Sequence, residues 1–386
     1  MFMAVANLLG IGGSALISIL LGQQQQEKAK QASSFCAYGS LAFGAVMGGM
    51  ILLFLDPLLR ILGSSSYTWQ FSRDYLFYIA LGAPVILFGN SFGHAVRGEG
   101  AAKASMIGGM IGTVINILLN PLFVLNMGVA GAAIATVLGN IGSCLYYLYY
   151  FLKKSPLLSI HPRYLRRAGA VWKRMISIGV PAGINSALMS VAAVLLNNAL
   201  VSYGDKPLAA MGIVTKAYML IVFIHMGITN GIQPLLGYCF GAGEKKRFLS
   251  IMKFSGLLTV GCGTVLSLFY ILFSRQVMGA FILDEEVIAY GTQMLRAVSM
   301  AGPVLGLLFL SINSMQAINR PLPAALLSVC RQGLFFIPLL YLLKSWFGLP
   351  GINYTQTAAD YLTIVISLGL LKSAAGAFAE KGQETD

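Results

Sequence analysis

Eleven runs of predominantly apolar residues, each long enough to cross a bilayer as a helix, follow one another along the 386 residues of the chain. A bilayer core about 30 Å thick requires about 20 such residues. The runs cover residues 1–21, 34–55, 74–96, 104–126, 129–152, 172–202, 207–235, 248–273, 290–318, 321–345 and 350–372. None shows the period-two alternation of membrane barrel strands. With 57% hydrophobic and 10% charged residues, the sequence predicts an all-α integral membrane protein.

Lysine and arginine residues are unequally divided between the loops on the two sides of the predicted bundle. One side carries 18: Lys28, Lys30, Arg97, Lys103, seven from Lys153 to Arg174, Lys245, Lys246, Arg247, Lys253, Arg320, Lys372 and Lys381. The other side carries six: Arg60, Arg73, Lys206, Arg275, Arg296 and Lys344. Because basic loops face the cytoplasm, we expect a multi-pass protein of the plasma membrane, of the bacterial inner-membrane type, with a cytoplasmic C-terminus. Charge spread this thinly does not predict nucleic-acid binding.

Short motifs recur in the same order in the two halves of the chain. Their offsets are 215 to 220 residues: Leu20-Leu21-Gly22 with Leu235-Leu236-Gly237, Gly82-Ala83-Pro84 with Ala301-Gly302-Pro303, Pro121-Leu122 with Pro338-Leu339, and Gly128-x-x-Gly131 with Gly348-x-x-Gly351. The pattern predicts a parallel duplication. Because the sixth run then has no partner, we expect a twelve-helix architecture whose first helix is missing before Met1. Two such halves are typical of secondary transporters.

This repeat divides the chain into four predicted parts. They are an N-terminal bundle of five helices (1–152), a basic cytoplasmic linker (153–171), a C-terminal bundle of six helices (172–372) and a cytoplasmic tail (373–386).

Several motifs are similar to those of one transporter family. They are Arg97-Gly98-Glu99-Gly100, Asn116-Ile-Leu-Leu-Asn120-Pro121, Gly128-x-x-Gly131-Ala-Ala-Ile-Ala-Thr136, Ile232-Gln233-Pro234-Leu-Leu-Gly237-Tyr238 and Gln316-Ala317-Ile318. On these motifs the chain, from residue 1 to about 372, resembles the multidrug and toxic compound extrusion (MATE) family. The resemblance implies a monomeric antiporter in the lipid bilayer, without a cofactor. Such a protein expels cationic, amphipathic drugs by alternating access in exchange for protons or sodium ions.

The chain departs from the family in its carboxylates. Asn120 stands where the family often has an acidic residue, and a further acidic residue of the family lies in the helix expected before Met1. No acidic residue lies near Met189 or between Leu310 and Ala317, where a sodium-coupled branch carries them. The choice between H⁺ and Na⁺ as the coupling ion is therefore open.

Polar residues at helical spacing mark a candidate cavity in the N-terminal half. Asn116 and Asn120 share one helix face, and Thr136 lies at a similar distance from the intervening turn. Asn90, His94 and Arg97 form a second stripe. These residues either line a substrate or cation cavity or hydrogen-bond the helices to each other, and the family resemblance favours the cavity. His94 is a proton carrier or a packing residue.

Three charged residues lie well inside apolar runs, away from their ends: Lys216, Arg331 and Asp360. A lone charge at the bilayer centre costs at least about 2.5 to 3.5 kcal/mol, so pairing is expected. Counted from the turn between their helices, Arg331 and Asp360 lie about 5 Å apart in depth, within the reach of an arginine. We predict that they form an ion pair, with Lys216 as a competitor for Asp360. The pair is either a structural clamp or part of the coupling machinery.

Other functions are less well supported by the sequence. A flippase for lipid-linked saccharides shares this architecture, but needs a strongly cationic central cavity. An inactive fragment of a transporter is a further alternative. Enzyme motifs and metal-ligand spacings do not occur in the sequence, so we predict that the protein is not an enzyme and binds no metal. The five cysteines are scattered singly and predict small packing residues.

Overall fold

The computed structural model describes residues 2–61, 68–155, 157–166 and 169–383, and these ranges are mostly helical and contain no strand. Contacts divide the chain into two units, residues 1–183 and 184–386. The division falls inside the helix Gly169–Val201 rather than in the basic segment 153–171. The first half of this helix belongs to the first unit because it packs against the N-terminal helix: a Cβ on Gly183 would lie 3.4 Å from the Ala4 carbonyl oxygen.

The first unit is built on long apolar helices. They are α1 (Phe2–Gly22), α2 (Gln26–Leu53), α3 (Leu55–Ile61), α4 (Trp69–Gly98), α5 (Ala102–Met127), α6 (Val129–Lys154), α7 (Pro162–Arg166) and the first half of α8 (Gly169–Val201). Its core includes Leu16, Phe92 and Met175, from α1, α4 and α8, all fully buried. Hydroxyl groups of α6 reinforce this packing: Tyr147 donates to the Ser105 carbonyl and Ser143 to the Gly108 carbonyl, both on α5.

The second unit contains the rest of α8 and the following helices. They are α9 (Asp205–Gly241), α10 (Lys245–Leu272), α11 (Ser274–Gly279), α12 (Glu285–Ser299), α13 (Gly302–Ala317), α14 (Pro321–Val329), a π-helical turn (Cys330–Leu334), α15 (Phe336–Phe347) and α16 (Leu349–Gln383). One apolar core includes Ile221, Leu305 and Phe336, and a second includes Leu236 and Leu327.

Nine helices in the described ranges are long and apolar enough to cross a membrane. A tenth span results if α12 and α13, which meet at a bend of 48°, are counted together. The eleventh predicted run lies in α16, which is not among the nine; its first half carries Asn353, Gln356 and Asp360. The protein is therefore a multi-pass helical membrane protein.

The sequence repeat extends to the geometry of two hairpins, α5–α6 and α15–α16. Gly128 has φ 60° and ψ −137°, and Gly348 has φ 62° and ψ −135°, a left-handed region that favours glycine. Three residues later, a Cβ on Gly131 would collide with the Phe123 carbonyl oxygen, and one on Gly351 with the Leu343 carbonyl oxygen. Counted from these turns, Thr136 and Asn140 of α6 correspond to Gln356 and Asp360 of α16.

Candidate functional site

A cavity of about 500 Å³ lies between α4, α5 and α6 in the first unit. Small residues leave this space open, and polar groups cover much of its wall. The polar wall residues are Asn90, His94 and Arg97 of α4, Ser105, Thr113 and Asn116 of α5, and Thr136, Asn140, Ser143 and Tyr147 of α6. The volume is in the range of small-molecule binding sites. Four of the residues predicted to line a cavity therefore line this one: Asn90, His94, Asn116 and Thr136.

The contact between α5 and α6 decides which residues meet across this wall. A Cβ on Gly139 would lie 2.6 Å from the Gly112 carbonyl oxygen, so these glycines set the register of the two helices. One turn nearer the hairpin, Asn116 Nδ2 donates to Thr136 Oγ1 at 3.2 Å. Thr136 is thus paired with Asn116, although counting from the turn had placed it level with Asn120. Asn120 is half-buried and is not part of the cavity wall.

The asparagine side chains of the wall use their nitrogen atoms inside the protein. Asn90 Nδ2 donates to the Ile86 carbonyl at 2.8 Å, and Asn140 Nδ2 donates to the Thr136 carbonyl at 2.9 Å. Asn116 Nδ2 likewise donates to Thr136, so each of the three asparagines has one N–H engaged and can offer a bound molecule its carbonyl oxygen as an acceptor. Sequence reasoning missed Asn140, although it lies one turn after Thr136 on the same face of α6.

Arg97 and His94 lie along the α4 side of the cavity. Arg97 Nη2 donates to Ser105 Oγ at 3.3 Å, and Ser105 Oγ donates to the Gly93 carbonyl at 2.8 Å. A Cβ on Gly10 would lie 2.8 Å from His94 Cδ2, so the imidazole packs against α1 as well as facing the cavity. His94 therefore combines packing, which the sequence offered as one alternative, with access to the cavity.

Glu99 joins the turn after α4 to the segment that follows α6. Its carboxylate accepts hydrogen bonds from Ser155 Oγ at 2.7 Å, the Leu157 amide at 3.3 Å and the Tyr150 hydroxyl at 3.3 Å. Burial raises the pKa of Glu99, and these hydrogen bonds oppose that shift. The carboxylate in the Arg97-Gly98-Glu99-Gly100 motif thus fixes the end of α6 next to the end of α4.

The second unit contains an ion pair between Arg331 and Asp360. Arg331 Nε donates to Asp360 Oδ1 at 2.8 Å, and the exposed fractions of the two side chains are 3% and 0%. Gln356 Nε2 donates to the same oxygen at 2.9 Å. The Arg331 guanidinium also lies over the Phe309 ring, 5.1 Å from its centre. Lys216 is exposed and is not a partner of Asp360, so the competition considered from the sequence does not occur in this structure.

Comparisons with known proteins agree with the helical architecture. The sequence profile of the MatE family matches residues 1–122 and 181–342. The multidrug export protein MepA of Staphylococcus saprophyticus is 30% identical over 368 residues, covering 95% of this chain and 81% of that protein. MepA of Staphylococcus aureus strain N315 is 30% identical over 372 residues with the same coverage.

Solved structures of transporters have the same fold. One is an outward-facing multidrug resistance MATE family transporter of the MOP superfamily, with a TM-score of 0.93 and 22% identity over 98% of this chain and 85% of that chain. Another is a MOP superfamily transporter from Pyrococcus furiosus, with a TM-score of 0.92 and 22% identity over 98% of this chain and 86% of that chain. On the profile match and the similarity to MepA, the chain belongs to the MatE family of membrane transporters.

Proposed function

We propose that the protein exports amphipathic organic cations, including drugs, by antiport with protons or sodium ions. It acts as a monomer, by alternating access, in the plasma membrane with its C-terminus in the cytoplasm. The observation that carries this proposal is the cavity of about 500 Å³ in the first unit, whose wall presents the amide oxygens of Asn90, Asn116 and Asn140. The relatives from Staphylococcus, named multidrug export proteins, support the same reading.

The chemistry of this wall suits a weakly hydrated cation with apolar groups. Amide oxygens stabilise a positive charge without the desolvation cost of a buried carboxylate. The Tyr147 ring and the flexible Met106 side chain supply polarizable apolar surface, which tolerates ligands of different shapes. Asn90 and Arg97 are seven residues apart on α4, about 10 Å along the helix axis, so the cation binds near Asn90 and away from the guanidinium.

Substitution of Asn116 tests the proposal. Asn116→Leu removes an amide oxygen from the wall, and the matched control Ile117→Leu changes the next residue, which is 62% exposed and outside the wall. In bacteria that lack their own efflux pumps, we expect the wild type to expel ethidium. Asn116→Leu raises the half-saturating ethidium concentration about tenfold to a hundredfold, the effect of losing one hydrogen bond or dipole contact to a charged group. An Asn116→Leu variant with wild-type efflux, or a wild type without efflux, contradicts the proposal.

A further inference from the structure

The carboxylate of Asp360 is held through only one of its two oxygen atoms. Oδ1 accepts hydrogen bonds from both Arg331 Nε and Gln356 Nε2, while Oδ2 is buried and has no hydrogen-bond partner among the residues that the structure describes. Two more buried polar atoms without a partner belong to the same cluster, namely Arg331 Nη1 and the Tyr218 hydroxyl. Tyr218, on α9, packs against the apolar core that contains Phe309 and Ala359, the neighbour of Asp360, and is close enough to Asp360 and Arg331 to be influenced by their charges. The cluster therefore holds three unsatisfied polar atoms, one of them an oxygen of the fully buried carboxylate itself.

This geometry differs from that of a simple structural clamp. A clamp between arginine and a carboxylate is commonly bidentate, with two parallel N–H···O bonds that satisfy both oxygens. Each buried polar atom left unpaired costs about 1 to 3 kcal/mol. The fold keeps three such atoms at one place. This arrangement indicates a binding position for a small ligand that forms hydrogen bonds, rather than an ion pair whose polar atoms are all satisfied.

A proton fits this position better than a metal cation. It needs only one oxygen, so Oδ2 can take it while Oδ1 keeps its hydrogen bonds to Arg331 and Gln356. A sodium ion needs several oxygen ligands, and the Arg331 guanidinium, which opposes either added positive charge, takes up one side of the carboxylate where such ligands would have to lie. When the carboxylate is neutral, the Phe309 ring still stabilises the guanidinium through its face.

The other ionisable groups on the helices packed against α16 are exposed, hydrogen-bonded to other partners, or uncharged side chains such as Tyr290 and Cys262. The α13 and α14 segments contain no ionisable side chain. On α15, Tyr341 is exposed and Lys344 donates to the Ala199 carbonyl. On α12, Glu285 pairs with Arg275 and Glu286 with Lys206. Arg296 donates to Ser274, and Tyr290 is half-buried. On α10, the four basic residues Lys245, Lys246, Arg247 and Lys253 are exposed, Tyr270 donates to the Ala217 carbonyl and Cys262 is half-buried. In the π-helical turn, Cys330 next to Arg331 is a buried free thiol. Arg331 and Tyr218 are therefore the groups that set the field at Asp360.

The cluster lies at an irregular point of its helix and at a position that the repeat relates to the cavity wall of the first unit. Arg331 lies in the π-helical turn between α14 and α15, and such turns are frequent at functional sites. The cluster contains residues of α9, α13 and α16 as well, so a change of its charge acts on several helices at once. By the repeat, Gln356 and Asp360 stand where Thr136 and Asn140 line the cavity of the first unit. The second unit thus has a titratable side chain, Asp360, at the position where the first unit has the neutral side chain of Asn140.

We infer that Asp360, held by Arg331 and Gln356 and flanked by Tyr218, is the proton-binding group that drives transport. The inference rests on the proposed function, since it names the coupling ion of that transport and the residue that carries it. The proton binds Asp360 Oδ2 and is released from it during each cycle. The charge of the cluster alternates between zero and plus one.

Transport by the purified full chain in proteoliposomes tests this inference. Ethidium is the probe, and two assays are compared: accumulation driven by a pH gradient, and ethidium–ethidium exchange without any gradient. Asp360→Asn is expected to lose the driven accumulation and to keep the exchange. Loss of exchange by the wild type itself contradicts the proposed function instead. Driven accumulation by Asp360→Asn, or a wild type driven by sodium alone, overturns the inference while leaving export intact.

Asp360→Asn leaves Arg331 without its charged partner, so a second variant that keeps the ion pair separates the loss of the proton site from misfolding. Tyr218→Phe removes one hydroxyl and leaves the ion pair in place, and Tyr361→Phe is the matched control because its hydroxyl binds the Met300 carbonyl outside the cluster. We expect Tyr218→Phe to move the midpoint of the pH profile of transport to lower pH by up to about one unit, the equivalent of one hydrogen bond to the protonated acid. Tyr361→Phe leaves the profile unchanged. An unchanged profile for Tyr218→Phe contradicts its place in the site.

A spectroscopic measurement makes the result independent of transport. Infrared difference spectra of the purified protein between high and low pH are expected to show the carbonyl stretch of a buried protonated carboxylic acid. The Asp360 part of this band is absent from Asp360→Asn, whereas Glu99, whose pKa is also raised by burial, contributes a part that remains there and is removed in Glu99→Gln. A wild-type spectrum identical to that of Asp360→Asn overturns the assignment of the proton to Asp360.

Discussion

At the level of single residues, the cavity depends on glycines, which leave space open, as much as on the polar side chains that line it. Gly109 lines it, and a Cβ placed there would meet only the Tyr147 hydroxyl, at 3.9 Å. The sequence pointed to the polar wall residues on α4 because their spacing of three and four is visible without a structure. It did not distinguish glycines that border the cavity from those that face lipid, because a residue without a side chain leaves no pattern of polarity.

Filling this space is expected to obstruct the larger substrates. Gly109→Leu projects an isobutyl group into the cavity, whereas Gly49→Leu, the control on α2, projects into open space away from it. We expect efflux of a bulky dye such as Hoechst 33342 to fall about tenfold or more in Gly109→Leu, the effect of at least about 1.4 kcal/mol of lost binding, and efflux of the smaller tetramethylammonium to fall less. Equal effects on both substrates, or equal effects of the two variants, contradict the position of the cavity.

At the scale of helices, hydropathy predicted long segments well and their irregularities poorly. The bend between α12 and α13 falls next to Gly302-Pro303, and the π-helical turn falls inside an apolar run, so neither interrupts the hydrophobic pattern. The register of α5 against α6 could not be predicted from the sequence either, because it is set by the close contact between Gly112 and Gly139. Counting from the turn at Gly128 placed Thr136 level with Asn120, whereas the contact between Gly112 and Gly139 brings it to Asn116.

The glycine contact predicts which small substitution this hairpin tolerates. Gly139→Ala forces a methyl group against the Gly112 carbonyl oxygen and is expected to cost about 1 to 3 kcal/mol. Gly261→Ala in α10 has nothing within 4 Å and is expected to leave stability unchanged or raise it by up to about 1 kcal/mol. Thermal unfolding in detergent measures both. A Gly139→Ala protein as stable as Gly261→Ala shows that the helices do not meet at this glycine.

The Glu99 contact between the α4 end and the α6 end makes stability depend on pH. The pKa of Glu99 is higher in the folded protein than in the unfolded chain. The contribution of Glu99 to the free energy of unfolding is therefore fully present below the pKa of the unfolded state, and it is lost as the pH rises through the pKa of the folded state. The melting temperature of the wild type should therefore fall over this window. Glu99→Gln, which resembles the neutral acid, should show a smaller fall. Glu27→Gln, at an exposed glutamate paired with Lys30, controls for the loss of a carboxylate. Parallel curves for the wild type and Glu99→Gln contradict the role of burial.

At the scale of the whole molecule, the distribution of basic residues predicts which loops face the cytoplasm. The side with 18 lysine and arginine residues includes Lys103, exposed at the start of α5, and the opposite side includes Leu283, 93% exposed before α12. The orientation is predicted from loop charge, since loops rich in lysine and arginine are retained on the cytoplasmic side of the membrane.

Cysteine labelling in intact cells decides the orientation. Lys103→Cys and Leu283→Cys are introduced singly, and the native cysteines interfere little, because four are buried and Cys262 is only partly accessible. A membrane-impermeant maleimide is expected to label Leu283→Cys in intact bacteria, and to label Lys103→Cys only after the membrane is opened. The wild-type chain supplies the background. Labelling of Lys103→Cys alone in intact cells would invert the proposed topology. In that case the side with the excess of basic residues would face outward, and the proposed direction of transport across the membrane would be reversed.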